Sequence, residues 1–167
     1  MLLGSTANNQ SQPNSESLVI QLLLQQRYAE AYDRLVSQQP TQNAALYNMA
    51  VCLHWAGNYE AALSRLDHIQ PAPQLGNANG INSNSEYSAI RLKQNQTNDH
   101  LQGLTEVYIK TFPALAQDAI IRLKTDCWLK LGNYDKVRAI ATPIASKGYK
   151  DIKDALELAK KANDERI

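Results

Sequence analysis

Long apolar runs are missing from this chain. The longest, Leu18 to Leu24, is interrupted by Gln21 and falls well short of the roughly 20 residues that a membrane span requires. Net charge is nearly missing too. With 17 Lys and Arg against 16 Asp and Glu, the formal +1 supplies no electrostatic pull toward nucleic acid or a membrane surface, and neither is expected as a partner. Cysteine is scarce: Cys52 and Cys127 each fall inside a helical pattern where a small apolar residue fits, so they read as buried thiols and not as a disulfide. Met1 to Ser15 holds no Lys or Arg and a single apolar pair, Leu2 and Leu3. The basic and apolar parts of a secretory signal are therefore lacking, and a cytoplasmic location is expected. Without that signal, the glycosylation patterns Asn9-Gln10-Ser11 and Asn95-Gln96-Thr97 read as chance. Sustained period-two alternation is also absent, which leaves an all-α chain.

What is present is enough for one core. At 167 residues and 44% hydrophobic content the chain reads as one domain over residues 16–167, preceded by a disordered leader, 1–15, rich in Asn, Gln and Ser. Charge is uneven along it. Through residue 90 there are three basic and six acidic side chains, and from Arg91 onward fourteen and ten, so the second half suits a mildly acidic partner.

Helical spacing begins at Leu18, Val19, Leu22 and Leu23 and resumes after Arg27 through Tyr28, Ala31, Tyr32, Leu35 and Val36, with Pro40 closing the pair. A second pair follows: Leu46, Met49, Ala50 and Leu53, a turn at Gly57-Asn58, then Tyr59, Ala62, Leu63, Leu66 and Ile69. Residues 71–84, with their prolines, glycines and asparagines and no charged side chain, read as a surface loop inserted in the domain. Beyond it, Glu86 to Gln96 and His100 to Lys110 read as two helices broken near Asp99. Pro113 then starts a helix to Leu131, Gly132-Asn133 turns into Tyr134 to Ser146, Gly148 stops that helix, and Asp151 to Asn163 is a last amphipathic one.

The turns recur. Gln26-Arg27-Tyr28, Gly57-Asn58-Tyr59 and Gly132-Asn133-Tyr134 are each followed by Ala31, Ala62 or Val137. Tyr28 and Tyr59 are 31 residues apart, while Tyr59 and Tyr134 are 75 apart, room for an intervening degenerate repeat plus the loop. The stretch Ala44 to Pro71 resembles a tetratricopeptide (TPR) repeat through Met49, Ala50, Leu53, Gly57, Tyr59, Ala62, Leu66 and Ile69. Residues 16–40 resemble another, though Gln26 replaces the usual turn glycine. Residues 119–146 resemble a third, with Lys124 and Thr125 where an apolar and a small residue are usual. The resemblance implies an α-α superhelix of three to four antiparallel helix hairpins with a C-terminal capping helix.

In that family the first helix of each hairpin lines a concave groove for a peptide or partner helix. Carried over residue by residue, the groove positions are Ile20 and Leu23, then Tyr47, Asn48, Val51, His54 and Trp55, then Arg122, Asp126, Leu129 and Lys130. The first part is apolar and aromatic; Arg122 and Lys130 suit an acidic group. The other reading stays open: Tyr47 and Trp55 pack on neighbouring helices, and Arg122, Asp126 and Lys130 form a solvated stripe. Of the family's clamp for the C-terminal carboxylate of heat-shock chaperones, only Asn48 matches, with Glu16 and Ile20 at the first-repeat positions.

Other chemistry is set aside. Cys52 and His54 point to different faces of a helix and have no second ligand pair, so no metal is expected. His68 and His100 read as surface or capping residues near helix ends. Gly76 to Gly80 lacks the Lys-Ser/Thr of a phosphate loop, and Asp151, Asp154 and Glu157 share their helix with lysines as an exposed mixed-charge face. The expectation is a non-enzymatic adaptor without cofactor that binds another protein in its groove. The alternatives are a secretion-type chaperone, or a structural subunit whose groove is filled by its own 71–84 loop or by self-association.

Overall fold

The structure, a computed structural model, describes residues 15–38, 41–70 and 84–165. Residues 1–14, 39–40, 71–83 and 166–167 lie outside it, as do the expectations of a leader and a loop that fall on them; Ser15, expected to end the leader, is instead the first residue of a helix, and Asn84, expected to end the loop, caps one. Among the described residues there are nine α-helices and no strand: α1 Ser15–Leu24, α2 Tyr28–Ser37, α3 Asn43–Trp55, α4 Tyr59–Asp67, α5 Ser85–Gln94, α6 Glu106–Thr111, α7 Pro113–Lys130, α8 Tyr134–Ala141 and α9 Lys150–Asp164. Short 3₁₀ turns span Asp99–Leu101 and Thr142–Lys147. No helix among the described residues is long and apolar enough to cross a membrane.

The three sequence-marked turns share one backbone device. Gly57 and Gly132 sit at φ 79° and 69°, the left-handed conformation that ends a helix, and the next residue, Asn58 or Asn133, caps the following helix by accepting from the amide of Ala61 or Lys136. At the first turn Gln26 takes the same conformation, φ 59°, with a side chain attached, and Arg27 supplies no side-chain cap. One residue into the second helix, Tyr28, Tyr59 and Tyr134 are half-buried beside the turn; Ala31, Ala62 and Val137 are fully buried where paired helices meet.

Packing follows chain order with one jump. Helix α2 packs on α3, α3 on α4, α4 directly on α7, α7 on α8, and α9 on α8 and α7. The intervening degenerate repeat expected between the second and third hairpins is therefore corrected: residues 84–112 do not form a hairpin between α4 and α7. Within this stretch, residues 97–109 lie against α1, α3 and α7 instead. The expected second helix, His100 to Lys110, is likewise broken. It is a 3₁₀ turn, an extended stretch with Gly103 at φ 91°, and the short helix α6 capped by Thr105. Helix α8 ends at Ala141, because Pro143 removes an amide from the helical ladder and the chain tightens into the 3₁₀ turn. The main core joins α1 to α4 with α6 and α7, and Trp128 packs on both this core and the one under α9.

Candidate functional site

The face expected to be an open groove carries part of the chain itself. From α3, the Asn48 amide meets both main-chain groups of Leu104: its Nδ2–H donates to the carbonyl at 2.9 Å and its Oδ1 accepts the amide at 2.8 Å. From the adjacent position on α3, the Tyr47 hydroxyl donates to the His100 carbonyl. Both side chains are buried, at 0% and 1% exposure. Glu106 extends the contact, since its carboxylate accepts from the Ala44 amide at 2.6 Å and its own amide donates to Glu16 at 2.7 Å. Gly103 fits only because it has no side chain: a Cβ there would lie 2.7 Å from Leu23 Cδ1 and 3.0 Å from Asn48 Oδ1.

The α7 end is held by charge. Arg122 is 2% exposed; its Nε donates to the Asp151 carboxylate at 3.0 Å, one terminal nitrogen to Asp99 at 2.6 Å, and the other to the Thr97 carbonyl at 2.7 Å. Its guanidinium lies 4.5 Å above the Tyr149 ring. Burial alone would lower the guanidinium pKa, but the hydrogen bonds and charges of Asp151 and Asp99 outweigh it and hold Arg122 above its ordinary value. Asp99 mirrors this: burial raises its carboxyl, and hydrogen bonds from Gln94 and Arg122 overcome that and leave it low. Next to this network His100 Nε2 lies 2.8 Å from Asp126 and 3.9 Å from Asp151. These three offer ligand-type atoms within 4.8 Å of one another, but Arg122 already neutralises Asp151. Asp118, also buried, is paired with Lys147 at 2.7 Å and the Tyr149 hydroxyl at 2.8 Å.

Two sequence readings are corrected here. His100 is 2% exposed, not a surface or capping residue, because it lies on the segment that packs on α7 and its ring meets Asp126 there. Asp151 is not on an exposed face; its side chain is 8% exposed beside Arg122, which α9 approaches by packing on α7.

The structure brings Ile20, Leu23 and Asn48 together around Gly103, and Tyr47, Arg122 and Asp126 around the 97–100 stretch. Val51 is buried in the main core. It does not bring in the rest. Trp55 is 64% exposed and stacks on Tyr28 at 4.6 Å, His54 meets Tyr59 edge-on at 5.4 Å, and Lys130 is exposed at the far end of α7. Burial lowers the His54 pKa, a shift that the Asp126 charge opposes and those of His100 and Lys130 reinforce. Missed from sequence were Asp99, Gly103, Leu104 and Tyr149. Gly103 was the available signal, an isolated glycine inside an apparently helical stretch.

The chain matches no protein-family model, no curated protein and no solved structure. Its function is therefore argued from this geometry.

Proposed function

We propose that the chain is a non-catalytic, TPR-like adaptor that binds an extended segment of another protein on the face of α1, α3 and α7. The observation that carries this reading is the paired hydrogen bonding of Asn48 to one residue's amide and carbonyl. A side chain that satisfies both groups of an extended strand holds main chain whatever its side chains, which is the central requirement of a peptide site. The recurring turns, the buried small residues and the sequential packing of α2 on α3 and α4 on α7 support the repeat reading. The charged groups on the face are paired with one another, so the reading assigns them to structure and gives catalysis no group to act with. A secretion-type chaperone is a variant of the same binding role. A cytoplasmic location and the absence of a cofactor belong to the same proposal.

A second reading has its own observation. The face is already filled by residues 97–106, which favours a structural subunit that presents its outer surfaces to an assembly. Affinity purification from native extract separates the two. A partner recovered with the wild type and with Trp55→Ala, which lies off this face, but lost with a folded Asn48→Ala variant supports the adaptor. Recovery of this chain alone, with a mass that rises with concentration, supports the subunit and overturns the adaptor.

A further inference from the structure

We propose that residues 102–105 act as a tethered ligand of a peptide site built from Ile20, Leu23 and Asn48, which a partner strand takes by displacing them. Such a strand would carry glycine followed by a leucine-sized apolar residue. This rests on the adaptor reading and adds the competitor and the side chains a partner must offer.

The crossing segment is held in two unlike ways. Its first part is locked by buried charge and main chain: Arg122 pairs with Asp99 and the Thr97 carbonyl, and the Asn95 amide donates to the Lys147 carbonyl at 2.8 Å while its own carbonyl accepts from Lys150. Pulling that part out would strip the buried Arg122 guanidinium of two of its three hydrogen-bond partners, which is unfavourable. Its second part is held by neutral contacts only, the two hydrogen bonds from Asn48 and the burial of Leu104 in the main core, all of which an incoming strand with the same groups would replace. Beyond it, the part-buried Glu106 contacts to Ala44 and Glu16 join the stretch to α3 and α1. The stretch between is therefore the part that a strand with the same groups exchanges for, while the Arg122 contacts hold the rest in place.

The same geometry states what an incoming strand needs. Asn48 reads main chain only and so selects for an extended backbone. Selection by side chain comes from the neighbouring positions. The left-handed φ of 91° and the 2.7 Å approach to Leu23 admit glycine, and the Leu104 side chain, 8% exposed, defines the apolar position after it. The Arg122 end offers an incoming acidic group nothing, since both of its carboxylate partners come from this chain.

The test uses the full chain and a fluorescently labelled peptide of residues 97–108, with anisotropy as the readout. In the wild type the tethered segment competes at a millimolar-scale effective concentration. Gly103→Ala weakens only the tethered copy, because the peptide keeps its glycine. Binding is expected to tighten about tenfold, the factor an alanine forced into a left-handed conformation costs the tether, and Asn48→Ala added to it should abolish binding. A folded Gly103→Ala chain that binds no peptide, or binds it regardless of Asn48, overturns the proposal. If Gly103→Ala does not fold, hydrogen exchange on the wild type decides. The Leu104 amide is expected to exchange faster than the amides of Met49 to Cys52; exchange only through global unfolding overturns the proposal. That failure makes the segment permanent core and leaves the adaptor reading to stand or fall on its own copurification result.

Discussion

Arg122 of α7 and Asp151 of α9 meet 29 residues apart in sequence, with side chains 3% and 8% exposed and a closest approach of 2.8 Å. The pair joins the last helix to α7 and, through Asp99, fixes where the crossing segment meets α7.

Removing Asp151 takes from the buried guanidinium the less exposed of its two carboxylate partners, 8% against 23% for Asp99. Asp151→Asn is expected to destabilise the chain by about 3 kcal/mol, seen as a lower urea midpoint at unchanged slope. Added salt should recover little of this, since a buried pair is poorly screened. A loss within the error of the wild-type midpoint would mean that water already reaches the pair.

Acid should weaken the fold in two stages. His54 has a folded pKa below its unfolded value, so its contribution is present above about pH 6.5 and is lost as pH falls through the folded value. Asp99 is also depressed, so its contribution is present above about pH 4 and is lost on further acidification. His54→Gln should flatten the first stage of a stability-against-pH profile and Asp99→Asn the second. Unchanged profiles in both variants would refute the assignment.

At the first turn a glutamine occupies the left-handed position that glycine occupies in the other two. Gln26→Gly should therefore stabilise the chain by about 1 kcal/mol, and Gly57→Ala should destabilise it by a similar amount. A Cβ at Gly57 meets no atom within 4 Å, so the effect tests backbone conformation alone. Chemical denaturation of the two variants measures it directly.

Cys52 and Cys127 are free, and burial pushes each thiol up to about 12. Neither is expected to react with a thiol reagent at neutral pH while the chain is folded, and both should react at the rate of unfolding. Fast native-state labelling of either would place it in a mobile part of the core.

Much of the fold was legible because it is local. A glycine before an asparagine ends one helix and caps the next through neighbouring atoms, and a small residue three positions after each tyrosine marks where two helices touch. The site was less legible. Asn48 was singled out by its place on α3, yet its partner, Leu104, lies 56 residues away and carries no mark of its own. Asp151 looked exposed because its helix is full of lysines; only the docking of α9 on α7 turns it inward. His100 looked peripheral because the surrounding stretch reads as a helix until Gly103 is seen to break it.

By itself, the sequence determined an all-helical chain, where its hairpins turn and which small residues let them close, since these depend on backbone conformation and on periods of a few residues. The tertiary structure decided that α4 packs on α7 and that residues 97–106 cover the face of α1, α3 and α7. The reason is physical: a long insertion can leave the stack or enter it at similar entropic cost. The choice is made by distant partners, Asn48 for Leu104 and Arg122 for Asp99, which only the folded chain brings within hydrogen-bonding reach.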